Sequence, residues 1–274
     1  VPVREMARQM ALVEQELFRA IKPWEFQNLN FARKDKSLAP NVHAFTAHFN
    51  AMNKWFVTCL MGRPELGERI RVMEKLIELA EECSLLQNYN GVNEIISACT
   101  SSAVFRLHKT WGGISPSHRA KFNELTALMA SAKNYAVLRR RLHNIHPPCV
   151  PYIGIYQTDL TFIEEGNPTL NDAGLVNWQK CKLQANIIIE IQTYQQTPYC
   201  LTAVPWLHDF FATVDPTVDE NEMWNISMKF EPREKKPAPG ESNNSQWRNG
   251  SSGGDGSEQD YTHLSGLPGL TDAE

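Results

Sequence analysis

The sequence predicts an all-α domain of irregular helices. Three observations carry that prediction. Apolar residues recur at the 3.6-residue spacing of a helix in one segment after another. No segment sustains the period-two alternation of a half-buried strand. Prolines, which cannot continue a helix, stand where the stripes stop, at Pro23, Pro147-Pro148 and Pro198.

Met6, Met10, Val13, Leu17 and Ile21 form the first stripe, closed by Pro23. Phe45, Phe49, Met52 and Phe56 form the second. Ile70, Met73, Ile77, Leu79 and Ala80 mark a third, in the long segment from Glu65 to Leu86. Val92, Ile95, Ile96 and Cys99 make a shorter fourth, and Phe122, Leu125 and Met129 a fifth. Tyr135, Leu138, Leu142 and Ile145 make a sixth that stops at Pro147-Pro148. Leu183, Ile187, Ile191 and Tyr194 give a long seventh, and Leu207, Phe210 and Phe211 a last short one. Short breaks between helices imply a bundle-like or orthogonal all-α domain over residues 1–235.

From Lys236 the composition changes. Gly, Ser, Asn, Pro and Asp dominate residues 236–274, as in Ser251-Ser252-Gly253-Gly254-Asp255-Gly256-Ser257. Such a segment buries too little to offset its ordering entropy and is expected to be a disordered tail. Leu264, Leu267 and Leu270 read there as stray apolar residues, with a short docking motif as the alternative.

The chain has 274 residues, 42% of them hydrophobic, and a net charge of −4. That balance gives no global attraction for nucleic acid or an anionic membrane, and Arg139-Arg140-Arg141 reads as an exposed helix face. No apolar run approaches the roughly 20 residues that span a bilayer. Six scattered cysteines without a CxxC pair point to small core residues in a reducing cytoplasm. The sequons at Asn225, Asn243 and Asn249 then read as chance matches. The chain opens on Val1-Pro2-Val3 without methionine, which points to a piece of a longer protein.

Familiar catalytic chemistry is missing. No GxxxxGK[ST], GxGxxG, GxSxG or HExxH is present, and the histidines show no metal-ligand spacing. No metal and no cofactor are expected. Cys149, with His143 or His146 as base, is a conceivable nucleophile, but a buried cysteine at a loop is the plainer reading. Glu164 and Glu165 are a conceivable acid/base pair. Neighbours on a helix point about 100° apart, which sets them against one shared target.

The informative stretch is PPCVPYIGIYQTDLTFIEEGNP, Pro147 to Pro168. It resembles the signature of the catalytic domain of Ras-family guanine-nucleotide exchange factors, the Son of Sevenless type. Other blocks occur in the order of that family. ARQMALVEQELFRAIKPWEF (7–26) is similar to its opening block, and Phe49-Asn50 with Asn53-Lys54-Trp55 to its second. Residues 68–107 contain its LxNxNGxxEIIS core, and Leu175 to Trp178 with Glu190 to Tyr199 resemble the closing blocks.

The resemblance implies an irregular helical domain with a protruding helical hairpin. It implies loss of GDP from a Ras-subfamily small GTPase and loading of GTP, through stabilisation of the nucleotide-free state and without covalent chemistry. A bowl of helices grips switch II while the hairpin displaces switch I. The first hairpin helix is expected from Thr158 to Glu165, with Gly166 as a left-handed cap and Pro168 beyond it. The returning helix follows Leu175 and includes residues 179–196.

By resemblance, Glu165, Thr161, Phe162 and Asn167 belong to the exchange-active hairpin. Glu165 matches a glutamate that engages the phosphate-binding loop, where a carboxylate competes with phosphate for the same donors, with a solvated helix-end charge as the alternative. Thr161 stands where some members crowd the magnesium site with leucine, which leaves Phe162 to pack the hairpin base. Arg69, Thr100, Tyr135, Tyr152 and Ile153 are the GTPase-binding expectations. Arg69 matches an interface arginine, with a surface ion pair as the alternative, and Tyr135 an aromatic that contacts switch II, with core packing as the alternative. Tyr152 and Ile153 line the bowl. Many members read Asn-Ser-Ser where this chain reads Thr100-Ser101-Ser102, so Thr100 lacks the amide's paired donor and acceptor.

The EEGNP hairpin favours Ras or Rap over Ral. Membrane contact is expected only indirectly, through the lipidated GTPase. Members acting on Ras or Rap usually carry an N-terminal helical module, which has no room before Met6. Two rival readings stand beside the exchange factor: a non-catalytic GTPase-binding scaffold, and a covalent enzyme using Cys149 or Glu164-Glu165.

Overall fold

The structure, a computed structural model, describes residues 1–170, 173–216 and 219–232. The segment from Lys236 onwards, with Leu264, Leu267 and Leu270, lies outside the described residues. Among the described residues there are thirteen α-helices and no strand beyond two isolated bridges, so the domain is all-α.

The first helix, α1 (Val3–Ala20), ends two residues before the short α2 (Pro23–Phe26). Pro23 therefore opens α2 at its N1 position rather than only closing α1. Two 3₁₀ turns, Gln27–Ala32 and Lys36–Leu38, lead into α3 (Pro40–Met61). Next come α4 (Leu66–Leu85) and α5 (Tyr89–Thr100), then the short α6 (Ser102–Phe105) and α7 (His108–Gly113). The chain continues through α8 (Pro116–Met129) and α9 (Ala132–His143). The hairpin pair is α10 (Gly154–Gly166) and α11 (Trp178–Gln196), followed by α12 (Pro205–Ala212) and α13 (Glu220–Phe230).

The core lies where α3 and α4 pack on α5 and α1 packs on α4. Met10, Val13, Phe45, Met52, Phe56, Met73, Ile77, Val92 and Ile95 are buried there. Each such side chain contributes about 1.5–3 kcal/mol by leaving water. The stripes placed these helices well because long amphipathic segments bury one face. The short α6 and α7 hold too few turns to show a period, and α13 buries only Met223 and Ser227.

Two sequence blocks prove to be architectural. Glu25 is fully buried and accepts from the backbone N–H groups of Asn41 (2.9 Å) and Val42 (3.0 Å), at the first turn of α3. A carboxylate there satisfies donors that a helix start leaves unpaired. The LxNxNGxxEIIS block builds a buried polar cluster. Asn88 Nδ2 donates to Glu14 Oε1 (3.0 Å), and Asn90 Nδ2 donates to Glu14 Oε2 (2.8 Å) and Glu94 Oε1 (3.0 Å). Burial pushes the Glu14 carboxyl up to about 7, and burial with the neighbouring Glu14 charge raises Glu94 further above the carboxylate range. Gly91 is required beside them, since a Cβ there would meet Asn88 Nδ2 at 2.7 Å and Glu14 Oε1 at 3.0 Å.

The sixth stripe departs from the expected helix at both ends. Ile145 lies beyond the end of α9 at His143. At its start Lys133, Asn134 and Tyr135 adopt φ of 51°, 55° and 56°, the left-handed region that L-residues avoid.

Candidate functional site

The hairpin begins with α10, which starts at Gly154, earlier than the expected Thr158. Gly154 has a steric reason: a Cβ would meet the Tyr152 ring and hydroxyl at 2.4–2.7 Å. At the other end Gly166 remains helical and Asn167 is extended (φ −132°), so no left-handed cap forms there. Instead the Asn167 side chain donates to Ile163 O (3.0 Å) and closes the helix itself. The described glycine with positive φ is Gly174 (φ 72°), in the turn between the two helices. Asn177 then starts α11, accepting from Lys180 N (3.2 Å) and donating to Pro168 O (2.9 Å).

The two helices are laced together by polar contacts. Lys180 Nζ, buried, donates to Glu164 Oε1 (2.8 Å) and Gln184 Nε2 donates to Glu164 Oε2 (2.9 Å). Nearer the base, the Tyr156 hydroxyl donates to Glu190 Oε1 (2.9 Å). Glu164 is thus spent inside the hairpin, whereas Glu165 is exposed. Thr161 is half-buried and its hydroxyl donates to Gln157 O (2.8 Å). Phe162 is 63% exposed and does not pack the hairpin base. The outer face of α10 therefore presents one carboxylate and one aromatic ring.

Beside the hairpin base stands a group of rings. Tyr152 lies 5.8 Å from Tyr135 and 6.1 Å from Phe49, centroid to centroid. Burial, with Tyr135 alongside, pushes its hydroxyl up to about 12 against the opposing influence of Asn93. Asn93 belongs to an accessible stripe on α5. There Asn93 and Ser97 are half-buried and Thr100 is exposed, while the other residues of α5 are buried. Positions i, i+4 and i+7 share one helix face, so Tyr135, Tyr152 and Thr100 belong to connected parts of one surface. Thr100's hydroxyl donates to Ile96 O (2.8 Å) and is used within its own helix.

Two expected interface residues are buried instead. Ile153 is 4% exposed in the core and cannot line an open bowl, although its neighbour Tyr152 is half-buried. Arg69 is 3% exposed. Its guanidinium donates to Arg63 O (3.0 Å) and Thr110 Oγ1 (3.2 Å), also reaches Pro64 O, and lies over the Phe230 ring. Glu231, 3.9 Å from Arg69, accepts from the backbone of Lys109 and Thr110. Arg69 therefore ties α4 to α7 and α13. Its ion pair with Glu231 is internal rather than on the surface.

Cys149 is fully buried, and burial pushes its thiol well above the ordinary range, so thiolate chemistry is suppressed. Glu164 and Glu165 do not converge, because Lys180 and Gln184 hold the former. Among the described residues no group of His, Cys, Asp and Glu is arranged to hold a metal ion, and no helix is long and apolar enough to cross a membrane.

Sequence reasoning passed over Phe105, which is 59% exposed on α6 shortly after Thr100. It also passed over Asn93 and Ser97. The spacing did not single them out, because Asn90 and Glu94 repeat at the same interval as Asn93 and Ser97, and only burial separates the two pairs.

The chain is similar to known exchange factors. The Ras-specific guanine nucleotide-releasing factor 2 of Danio rerio is 37% identical over 230 residues, 84% of this chain and 18% of that protein. The Ras guanine nucleotide exchange factor Y of Dictyostelium discoideum is 38% identical over 229 residues, 83% of this chain and 15% of that protein. The human Ras-specific guanine nucleotide-releasing factor 1 is 34% identical over 230 residues, 84% of this chain and 18% of that protein. The chain spans less than a fifth of the length of these relatives. The family model of the RasGEF domain matches residues 5–182, from α1 into the start of α11, and the chain belongs to the RasGEF domain family.

Proposed function

We propose that residues 1–235 are a guanine-nucleotide exchange domain that promotes GDP release and GTP loading on a Ras-subfamily small GTPase. The observation that carries this reading is the laced hairpin, which turns Glu164 inward and leaves Glu165 and Phe162 exposed, in a chain of this family. The aromatic group of Tyr135 and Tyr152, with Thr100 on the adjoining stripe, forms the docking surface for switch II. The hairpin then displaces switch I. Glu165 competes with the phosphates for donors of the nucleotide site, and Thr161 and Phe162 face the region vacated. No bond of the nucleotide breaks. The domain lowers the free energy of the nucleotide-free GTPase, since only unequal affinity for two states moves their equilibrium.

Ras or Rap is the favoured substrate, on the strength of Glu164-Glu165-Gly166-Asn167-Pro168. The domain works in the cytoplasm and reaches a membrane through the lipidated GTPase. In the full-length protein an N-terminal helical module supports the hairpin.

A second reading has one observation in its favour. The Thr100 hydroxyl is occupied by Ile96 O, so this position offers a partner less than an asparagine does. A scaffold weakened there binds the GTPase with no preference between nucleotide states. The discriminating experiment is titration of the domain against GDP-loaded and nucleotide-free Ras, Rap and Ral. Binding at least about a hundredfold tighter to one nucleotide-free GTPase supports exchange. Equal affinity for both states supports the scaffold.

A further inference from the structure

The left-handed turn at the start of α9 is costly. L-residues avoid this region, and Lys133, Asn134 and Tyr135 occupy it in succession. Something must hold the turn, and the contacts around it show what does.

Arg139, on the next turn of α9, reaches back to Asn134. Its Nε donates to Asn134 O (2.7 Å) and its Nη2 to Asn134 Oδ1 (3.2 Å). The same guanidinium grips Asp159 of α10 with both arms, Nη1 to Oδ2 at 2.7 Å and Nη2 to Oδ1 at 2.8 Å. It also donates to Ile155 O (3.3 Å), and Asn134 Nδ2 donates to Asp159 Oδ1 (3.2 Å). The fork geometry fixes orientation as well as distance. Arg139 and Asp159 are only 30% and 20% exposed, so water screens the pair little.

The two ends of this linkage carry the candidate site. The turn ends on Tyr135, whose ring meets Tyr152. Asp159 stands on the helix that carries Thr161, Phe162 and Glu165, the last of these six residues further on.

We propose that Arg139 and Asp159 are positioning residues for exchange. They clamp the strained turn to the first hairpin helix, so that the Tyr135 ring and the exposed Glu165 carboxylate form one rigid unit. Neither residue need touch the GTPase. The inference rests on the exchange reading above and adds to it the coupling between the docking surface and the hairpin.

The test measures release of fluorescent GDP under saturating and limiting domain, together with thermal melting. The proteins are the parent chain, Asp159→Asn, Arg139→Lys, and Asp159→Asn combined with Lys133→Gly. Asp159→Asn is expected to lower the maximal exchange rate about tenfold, more than it weakens the apparent GTPase affinity. Arg139→Lys keeps the charge, loses the fork and behaves similarly; it serves should Asp159→Asn fold poorly. Lys133 is exposed, and glycine enters the left-handed region without a Cβ penalty. Lys133→Gly is therefore expected to recover most of the rate in the Asp159→Asn chain.

Parental maximal rates in both single variants would overturn the clamp while leaving the exchange reading intact. So would a rate loss that follows the melting temperature alone and is not recovered by Lys133→Gly. A parent chain without activity on any tested GTPase would overturn the exchange reading, and the clamp with it.

Discussion

Glu164 and Glu165 are adjacent in sequence and do opposite things. Glu164 accepts from the buried Lys180 ammonium at 2.8 Å inside the hairpin, while Glu165 is exposed on the outer face of α10. A helix turns by about 100° per residue, and that rotation converts two identical residues into a structural and a presenting carboxylate. Their substitutions are expected to separate. Glu165→Ala should slow GDP release on the order of tenfold or more, through loss of a charged contact, with no change in urea midpoint. Glu164→Ala strands the Lys180 charge and should lower stability by about 1–3 kcal/mol. Paired urea titrations and exchange assays check this, and equal effects of the two changes on both readouts would contradict it.

The buried cluster of Glu14, Asn88, Asn90 and Glu94 gives a pH dependence with a definite sign. Glu14 is raised from the ordinary glutamate value of 4.5 to about 7, and Glu94 is raised as well. The folded state then holds protons that the unfolded state has released, and stability falls as pH rises above about 4.5. Glu14's share of the decline spans roughly pH 4.5 to 7 and levels off above that; Glu94, raised as well, adds to the decline. Glu94→Gln is expected to flatten the profile and to be more stable than the parent at pH 8. Urea unfolding of both proteins from pH 5 to 8 measures the difference, and parallel profiles would sink this account.

Gly91 sits against the same cluster. Gly91→Ala forces a Cβ to within 2.7 Å of Asn88 Nδ2 and is expected to cost about 1–3 kcal/mol, as overpacking does. A melting temperature equal to the parent's would show that the cluster relaxes freely.

Thr100 is exposed at the end of α5, and its hydroxyl is already bonded to Ile96 O. Thr100→Asn places a free amide on the same surface stripe as Asn93. It is expected to raise affinity for the nucleotide-free GTPase by about two- to tenfold, the worth of one hydrogen bond, and to leave folding unaltered. Unchanged affinity by titration would remove Thr100 from the docking surface.

The long helices were legible because their apolar stripes are the packed faces, as in α1, α3 and α4. The position of Glu165 was legible from its motif. What could not be read depends on partners distant in sequence. Arg69 looked available until the carbonyl of Arg63, the Thr110 hydroxyl and the Phe230 ring enclosed it. Tyr135 fitted a helical stripe, but its backbone is left-handed, next to Asn134, whose carbonyl Arg139 holds. Ile153 follows Tyr152 directly, yet only the tyrosine reaches the surface group, because its ring folds over Gly154. The inward turn of Glu164 needed Lys180, on the other arm of the hairpin.

The most direct test of the central claim is release of fluorescent GDP from purified Ras, Rap and Ral, each with the parent chain, with Glu165→Ala and without addition. The account predicts acceleration of at least one Ras or Rap protein by the parent and a much smaller acceleration by Glu165→Ala. No acceleration of any of the three, or equal acceleration by both proteins, would contradict exchange through this hairpin.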